Sequence, residues 1–450
     1  MTRDRNFHRT FWPLMMFLVI QNVITLSVNL LDNVMLGGYS EAALAGASAA
    51  NQLFFILQQL VGGISEGLVV LAAQYWGQKR TEPIQRLAGI ALWLAVFVSL
   101  IFFLITFVAP EMCLRLFTPD AEIVVQGALY LRVMSWTFPI VAVTMVLLAM
   151  LRSVETVRVA VIVSITALLT NGLLNYMFIY GRFGAPEMGA EGAAIATLCS
   201  RVLELAVVSV YLFKVDKKIH LKLKNFFHPG VVLIRDYFRV SIPTMIIGFQ
   251  WGLNTALQTV ILGHIATNAI AANSIAGNLV MLLKVFAGAA AAAAGLTIGK
   301  TVGTGAIEKV KEYARSLQVI FLLIGVFIFT GILLLRAPVL ALYNITPATK
   351  DLAAQFLTIM AFTSFGMSYQ MPTLTGIVRG GGDTRFVMIN DLISIWGIVI
   401  PFSLLAAFVF NWPPVAVMIC LQSDQVFKCI PAAIKVNRFN WIKQLTRKAA

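Results

Sequence analysis

Residues 41–53 read EAALAGASAANQL, and 226 residues further on, residues 267–279 read TNAIAANSIAGNL. Ala43, Ala45 and Ser48 of the first stretch face Ala269, Ala271 and Ser274 of the second. Working outward at the same offset, Gly37 faces Gly263, Gly77 faces Gly303 and Glu82 faces Glu308. With the offset larger by one, the loop 152–158, RSVETVR, falls on 379–385, RGGGDTR, and the paired arginines stand at the same separation in both. Coincident alanines are common among apolar helices, but matched loops are not, so the chain is one design used twice.

The chain has 450 residues, 59% hydrophobic and 12% charged, about half the charge of a soluble domain. Apolar stretches of about 20 residues, enough to cross some 30 Å of hydrocarbon, recur along its whole length. They number twelve, from 11–36 to 415–436, and include 124–150 in the first half and 352–378 in the second. The expected fold is therefore an all-α membrane protein, with twelve transmembrane helices in two six-helix lobes. Six spans per half is an even number, so both halves enter the bilayer from the same side. The repeat is then parallel, with its axis along the membrane normal and a central cleft between the lobes. The expected division is a first lobe over 1–214, a basic linker over 215–237 containing Pro229-Gly230, and a second lobe with its tail over 238–450.

The formal net charge of +14 is organised by topology. Most Lys and Arg residues lie in the termini and in alternate loops, among them Arg3, Arg5, Arg9, Lys79, Arg80, Arg152, Arg158, Arg379, Arg385 and the tail from Lys435. The opposite loops hold little beyond Arg115, Arg182, Arg336 and Lys350. That asymmetry puts both termini in the cytoplasm of a bacterial inner membrane and argues against nucleic acid as a partner. The first apolar run has no small-residue cleavage pattern and is expected to stay as a helix. Cys113, Cys199, Cys420 and Cys429 lack metal-ligand spacing, and His8, His220, His228 and His264 make no nucleophile–base arrangement. The chain is accordingly expected not to be an enzyme and to need no cofactor.

An ionised side chain at mid-membrane costs at least about 2.5 kcal/mol, so each one within a span asks for a reason. The candidates are Asp32, Glu66, Arg201, Glu204, Lys284, Asp391 and Lys428. Asn22, Thr25, Asn29 and Asp32 share a helical face and are expected to point into the lobe. Asn171 and Asn175 are one turn apart, and Thr197, Arg201 and Glu204 share a face, with Arg201 and Glu204 spaced for a local ion pair. In the second half Gln250, Asn254 and Gln258 share a face, and Asp391 could line a cavity, where it would attract a cation, or pair structurally. Glu66 and Lys284 fall in opposite lobes and could neutralise each other as a latch. Lys428 is expected to snorkel to the cytoplasm. Met245, Met281, Met367 and Met371 are candidates for a permissive cavity wall.

Taken together, residues 31–37 (LDNVMLG), 72–77 (AAQYWG), 171–181 (NGLLNYMFIYG), 191–197 (EGAAIAT) and 379–384 (RGGGDT) resemble the multidrug and toxic compound extrusion (MATE) family. The resemblance covers nearly the whole chain and implies a V-shaped pair of lobes. It further implies a monomeric secondary antiporter that exports small cationic or amphipathic molecules by alternating access, in exchange for H⁺ or Na⁺. A lipid-linked oligosaccharide flippase of the same two-lobed superfamily is the alternative. In MATE proteins with a cation site in the first lobe, an Asp at the position of Asp32 works with polar residues at Asn171, Asn175 and Thr197. Carried over, Asp32 would exchange a proton, or would hold Na⁺ with oxygens of Asn171 and Asn175. Two positions depart from the family. Many relatives carry Asp at Asn175, and members with a switching first helix usually have a proline where Phe17 stands. Pro243, fifteen residues before Gln258, occupies the repeat-related position.

Overall fold

A computed structural model of the chain describes residues 2–118, 120–227, 231–343 and 345–447. His228, Pro229 and Gly230 of the expected linker lie outside them. Among the described residues, twelve long helical segments carry the fold. In the first half they are α1 (Arg5–Tyr39), α2 (Glu41–Gly77), α3 (Thr81–Val108), α4 (Ala121–Met134, then Thr137–Ser153), α5 (Arg158–Tyr180) and α6 (Gly189–Val215). The second half has α7 (Val231–Ile265), α8 (Thr267–Gly303), α9 (Ile307–Leu342), α10 (Pro347–Met371), α11 (Thr384–Val409) and α12 (Pro414–Arg438).

Among the described residues, ten helices are long and apolar enough to cross a membrane, and α4, bent by 50°, makes an eleventh. The expected span 124–150 is thus a broken one. The expected span 352–378 lies on α10 and the π-helical turn Pro372–Val378 that continues it. Its length suits a span, but hydroxyl and amide side chains dilute its apolar character. Those side chains are satisfied locally: the hydroxyls of Thr358, Thr363 and Ser368 donate to carbonyls one turn back, so α10 can be buried in protein.

Local chemistry explains several boundaries. The Asp120 carboxylate caps α4 by accepting from the amides of Glu122 and Ile123, and Thr346 with Pro347 opens α10. Gly181, at φ +64°, closes α5 in the left-handed conformation that glycine adopts without strain.

The chain forms two compact units. One comprises Ile20–Ala72 and Lys79–Gly248, the other Met1–Val19, Ala73–Gln78 and Phe249–Ala450. Helices α1, α2 and α7 therefore contribute residues to both. In the first unit Gly63 and Gly67 of α2 let the backbone of α7 approach at Met245 and Ser241. The hydroxyls of Tyr237 and Thr244 donate to the carbonyls of Ile64 (2.8 Å) and Gly63 (2.6 Å) across the same seam. The connection before α7 is anchored too: the Gln85 amide donates to the Ile219 carbonyl (2.8 Å) and accepts from the Lys222 amide (3.0 Å). In the second unit Phe7 stacks on Phe11 and packs on Tyr313. The repeat-related glycines Gly77 and Gly303 meet the backbone of α8 at Lys300 and of α2 at Gln74, respectively.

Candidate functional site

Asp32 lies on α1, and two features bring α5 against it. Gly172 lacks the side chain that would collide with Leu31, and the Tyr180 hydroxyl donates to the Met35 carbonyl at 2.7 Å. The Asn175 amide nitrogen then donates to Asp32 Oδ1 at 2.5 Å and to Asn171 Oδ1 at 3.1 Å, and Asn171 Nδ2 donates to Thr197 Oγ1 of α6 at 3.3 Å. Asn171, Asn175 and Thr197 are buried. The four residues named from sequence form one connected network within one unit.

This network is incompletely satisfied. Asn175 Oδ1 is buried and accepts no hydrogen bond. A free amide oxygen beside a carboxylate suits either of two guests: a hard monovalent cation held by oxygen ligands, or a proton on Asp32 whose hydroxyl needs an acceptor. No group of three His, Cys, Asp or Glu side chains forms a transition-metal site among the described residues. The carboxylate, amide and hydroxyl donors fit Na⁺ or H⁺.

Charged neighbours surround the network. Arg201 Nη1 donates to both carboxylate oxygens of Glu204 at 2.9 Å, the expected local pair, and stands within electrostatic reach of Asp32. Tyr130 of α4, absent from the expected set, is buried nearby and donates to Asn51 Oδ1 at 3.3 Å. Its contact is between helices distant in sequence, and no motif marks it.

The polar stripe of α1 is not buried along its length. Thr25 and Asn29 are exposed, and the Thr25 hydroxyl donates to the Gln21 carbonyl of its own helix. Helical spacing puts these residues on one face, but α5 meets α1 at Leu31, Asp32, Met35 and Gly38 and α6 meets it at Tyr39, all past Thr25 and Asn29.

Elsewhere the partners differ from expectation. Glu66 accepts from Arg152 at 2.5 Å within its own unit. The Lys284 ammonium lies 5.7 Å from the centre of the Trp251 ring. Lys428 does not snorkel: it is 4% exposed, held between Asp391 (2.9 Å) and Asp424 (3.0 Å). A buried ammonium with two carboxylates in reach loses less by staying than by stretching toward water. Asp391 is thus structurally paired. Asp424, missing from the expected set, was marked only by its position one turn before Lys428.

Gln250 and Asn254 of α7 are buried, with both Gln250 side-chain polar atoms and Asn254 Oδ1 lacking a hydrogen-bond partner. Gln258 is half-buried. Met367 is buried, Met371 half-buried, and Met245 is half-buried against Gly63, whereas Met281 is exposed.

The MatE family profile matches this chain twice, over residues 18–177 and 242–405, which is the duplication read from residues 41–53 and 267–279. Among curated relatives, the chain is 27% identical over 434 residues to a probable multidrug resistance protein NorM of Thermotoga maritima, covering 95% of this chain and 92% of that one. It is 28% identical over 398 residues to a protein of the same description from Xylella fastidiosa, covering 88% and 84%. Among solved structures, an outward-facing multidrug resistance MATE family transporter of the MOP superfamily superposes with a TM-score of 0.86 at 20% identity, covering 97% and 99%. The eukaryotic MATE transporter AtDTX14 gives 0.85 at 18% identity, covering 98% and 97%.

Fold and duplication together define a two-repeat, multi-span membrane protein of the MATE architecture. The chain belongs to the MatE family, as its motifs suggested.

Proposed function

We propose that this protein is a secondary antiporter of the bacterial inner membrane, with both termini cytoplasmic, that exports small cationic or amphipathic molecules in exchange for H⁺ or Na⁺. The observation that carries the reading is the Asp32–Asn175 hydrogen bond next to the partnerless Asn175 Oδ1. With Asp32 ionised, Asn175 donates to it and the cluster keeps a negative charge away from bulk water. A proton or Na⁺ arriving there removes that charge, and the Asn175 oxygen is ready to accept the new hydroxyl or to ligate the ion. Neutral and charged forms of the cluster then favour different packings of α1 against α5, which is the two-state element an antiporter needs. The names of the curated relatives, which refer to multidrug resistance, support a small-molecule substrate over the lipid-linked oligosaccharide alternative.

The test is reconstitution into liposomes with imposed proton or sodium gradients, assaying efflux of a cationic dye. Wild type should respond to one of the gradients, and Asp32→Asn should lose about five- to thirtyfold of that response, the scale of a coupling free energy of about 1–2 kcal/mol. Dye movement indifferent to either gradient, or unchanged by the substitution, would overturn the reading.

A further inference from the structure

The start of α9, residues 307–316, reads IEKVKEYARS and is densely charged, whereas residues 319–329 beyond it, VIFLLIGVFIF, carry no charge. Lys309 donates to Asp4 at 3.3 Å and Lys311 to Glu308 at 2.8 Å. Glu312 and Arg315 form no ion pair among the described residues, although side chains three apart on a helix can reach one another. The Arg315 guanidinium instead stands 5.5 Å from the centre of the Phe439 ring, and the Lys311 ammonium 5.9 Å from it. Phe439 ends α12 at φ +56°. A bulky side chain adopts that left-handed conformation at a cost, and keeps it only where surrounding contacts hold it.

Between these groups lies a cavity of about 620 Å³, lined by Lys311, Glu312, Arg315 and Phe439 and closed on one side where the Thr2 amide donates to Ser316 Oγ at 2.6 Å. A second cavity, of about 490 Å³, follows along the same two helices, lined by Val319 and Leu322 of α9 and by Ile430, Ala433 and Ile434 of α12. Its wall is almost wholly apolar, and Val319, Leu322, Ile430 and Ile434 are exposed, so in a bilayer it opens to hydrocarbon. Gln318 marks the boundary: its amide donates to Asn437 Oδ1 at 3.4 Å, and its oxygen accepts from the Tyr369 hydroxyl of α10 at 2.8 Å. Both cavities belong to one compact unit. A recess holding one cation and one anion without ion-pair partners, continued by an apolar groove, has the chemistry of an amphiphile. An anionic headgroup would meet Arg315 but crowd Glu312, whereas a zwitterionic one satisfies both.

We propose that this seam of α9 and α12 binds one phospholipid with a zwitterionic aminoethyl phosphate headgroup, its phosphate on Arg315 with Lys311 alongside, its ammonium on Glu312, and an acyl chain in the groove between Val319 and Ile434. The lipid then ties the start of α9 to the end of α12 at the membrane surface. Headgroup choice follows from the unpaired charges: phosphatidylglycerol brings no ammonium to Glu312, and the choline group of phosphatidylcholine has no N–H to donate. The assignment stands independently of the antiport reading, since none of its residues belongs to the Asp32 network.

The test uses lipid-depleted full-length protein in mild detergent, offered an equimolar mixture of phosphatidylethanolamine, phosphatidylglycerol and phosphatidylcholine and read by native mass spectrometry. Wild type should retain phosphatidylethanolamine about three- to fivefold over each of the others, the scale of one exposed ion pair. Glu312→Gln should erase the preference over phosphatidylglycerol, Arg315→Gln should lower phosphatidylethanolamine retention by a similar factor, and Ala433→Trp, which fills the groove, should remove the lipid adduct. In thermal unfolding, phosphatidylethanolamine should raise the wild-type Tm saturably by about 1 °C or more, and glycerophosphoethanolamine, the same headgroup without acyl chains, should not. Equal retention of the three lipids by wild type would mean an unselective lipid annulus and would overturn the proposal without recourse to any variant. So would a preference that survives both charge substitutions, an equal rise in Tm with the tailless headgroup, or a wild-type dimer that Ala433→Trp converts to monomer, which would put a second copy of the chain in the groove.

Discussion

The indole of Trp441 lies where a side chain at position 381 would have to go: a Cβ built on Gly381 meets the Trp441 ring itself. Trp441 is fully buried and donates from its indole nitrogen to the Val436 carbonyl at 2.8 Å. The Lys443 amide donates to the Gly381 carbonyl at 2.8 Å, Gln74 Nε2 donates to the Lys443 carbonyl at 3.0 Å, and the Leu445 amide donates to Gln74 Oε1 at 2.8 Å. The tail is thus strapped to the glycine loop before α11 and to the end of α2.

Gly381→Ala should therefore cost about 1–3 kcal/mol by overpacking, and Trp441→Ala about 3–5 kcal/mol by leaving a cavity. The double variant should be less destabilised than the sum, because the smaller side chain at 441 admits the methyl group at 381. Thermal unfolding of the four proteins, followed by size-exclusion recovery, measures the coupling, and strict additivity would contradict direct packing of the two positions.

The same strap should respond to acid through Asp383. Burial alone would raise its carboxyl, but hydrogen bonds from Lys435 and Lys443, each at 2.8 Å, outweigh it and hold the group below the usual carboxylate range. The folded value lies below the unfolded one, so the stabilisation is fully present above the ordinary Asp value of about 4 and is lost as pH falls through the lower folded value. Hydrogen exchange at residues 441–447 should stay slow from neutral pH down to about 5 and quicken only below about 4. Asp383→Asn should show faster exchange than wild type above about pH 4, where the carboxylate is ionised, and should match it once that group is protonated, with the acid-dependent step gone.

Asn175 should control which guest the first cluster accepts. Asn175→Asp sets a second carboxylate beside Asp32, and two close carboxylates need a shared proton or a cation between them. Sodium chloride should then raise the Tm of Asn175→Asp relative to choline chloride. Asn175→Leu, which removes both the donor and the spare acceptor, should show no such difference and should lose gradient-driven efflux.

Gly77 and Gly303, partners in the repeat, should behave as one contact. A Cβ at either would press on the backbone of the opposing helix, so Gly77→Ala and Gly303→Ala should each cost about 1–3 kcal/mol. Their effects should be non-additive, since the first substitution already spreads the crossing that the second would open. Purified yield and Tm of the single and double variants check this.

Some of the site was open to inspection of the residues, and the reason is local. Asn171 and Asn175 are one helical turn apart, so an α-helix alone places them together, and the motif around Asp32 supplied the third member. Arg201 and Glu204 pair for the same reason. Burial of the α1 stripe was not open in this way: Asn29 shares a face with Asp32 yet is exposed, because coverage depends on how far α5 and α6 reach along α1. Asp424 stands near the middle of the last span, and its partner Lys428 one turn on is a local relation, but the meeting of that pair with Asp391 of α11 is made only by packing.

The sequence by itself determined that this chain is a duplicated bundle of membrane helices, because hydropathy, helical period and an internal offset of 226 residues are properties of the chain read in order. Only the tertiary structure decided which charge answers which: Lys428 to Asp391 and Asp424, Glu66 to Arg152, and the tail to Gly381. Each of those pairings except Lys428 with Asp424 joins segments far apart in sequence. A desolvated charge settles wherever packing brings an opposite one within about 3 Å, and no local pattern encodes that meeting.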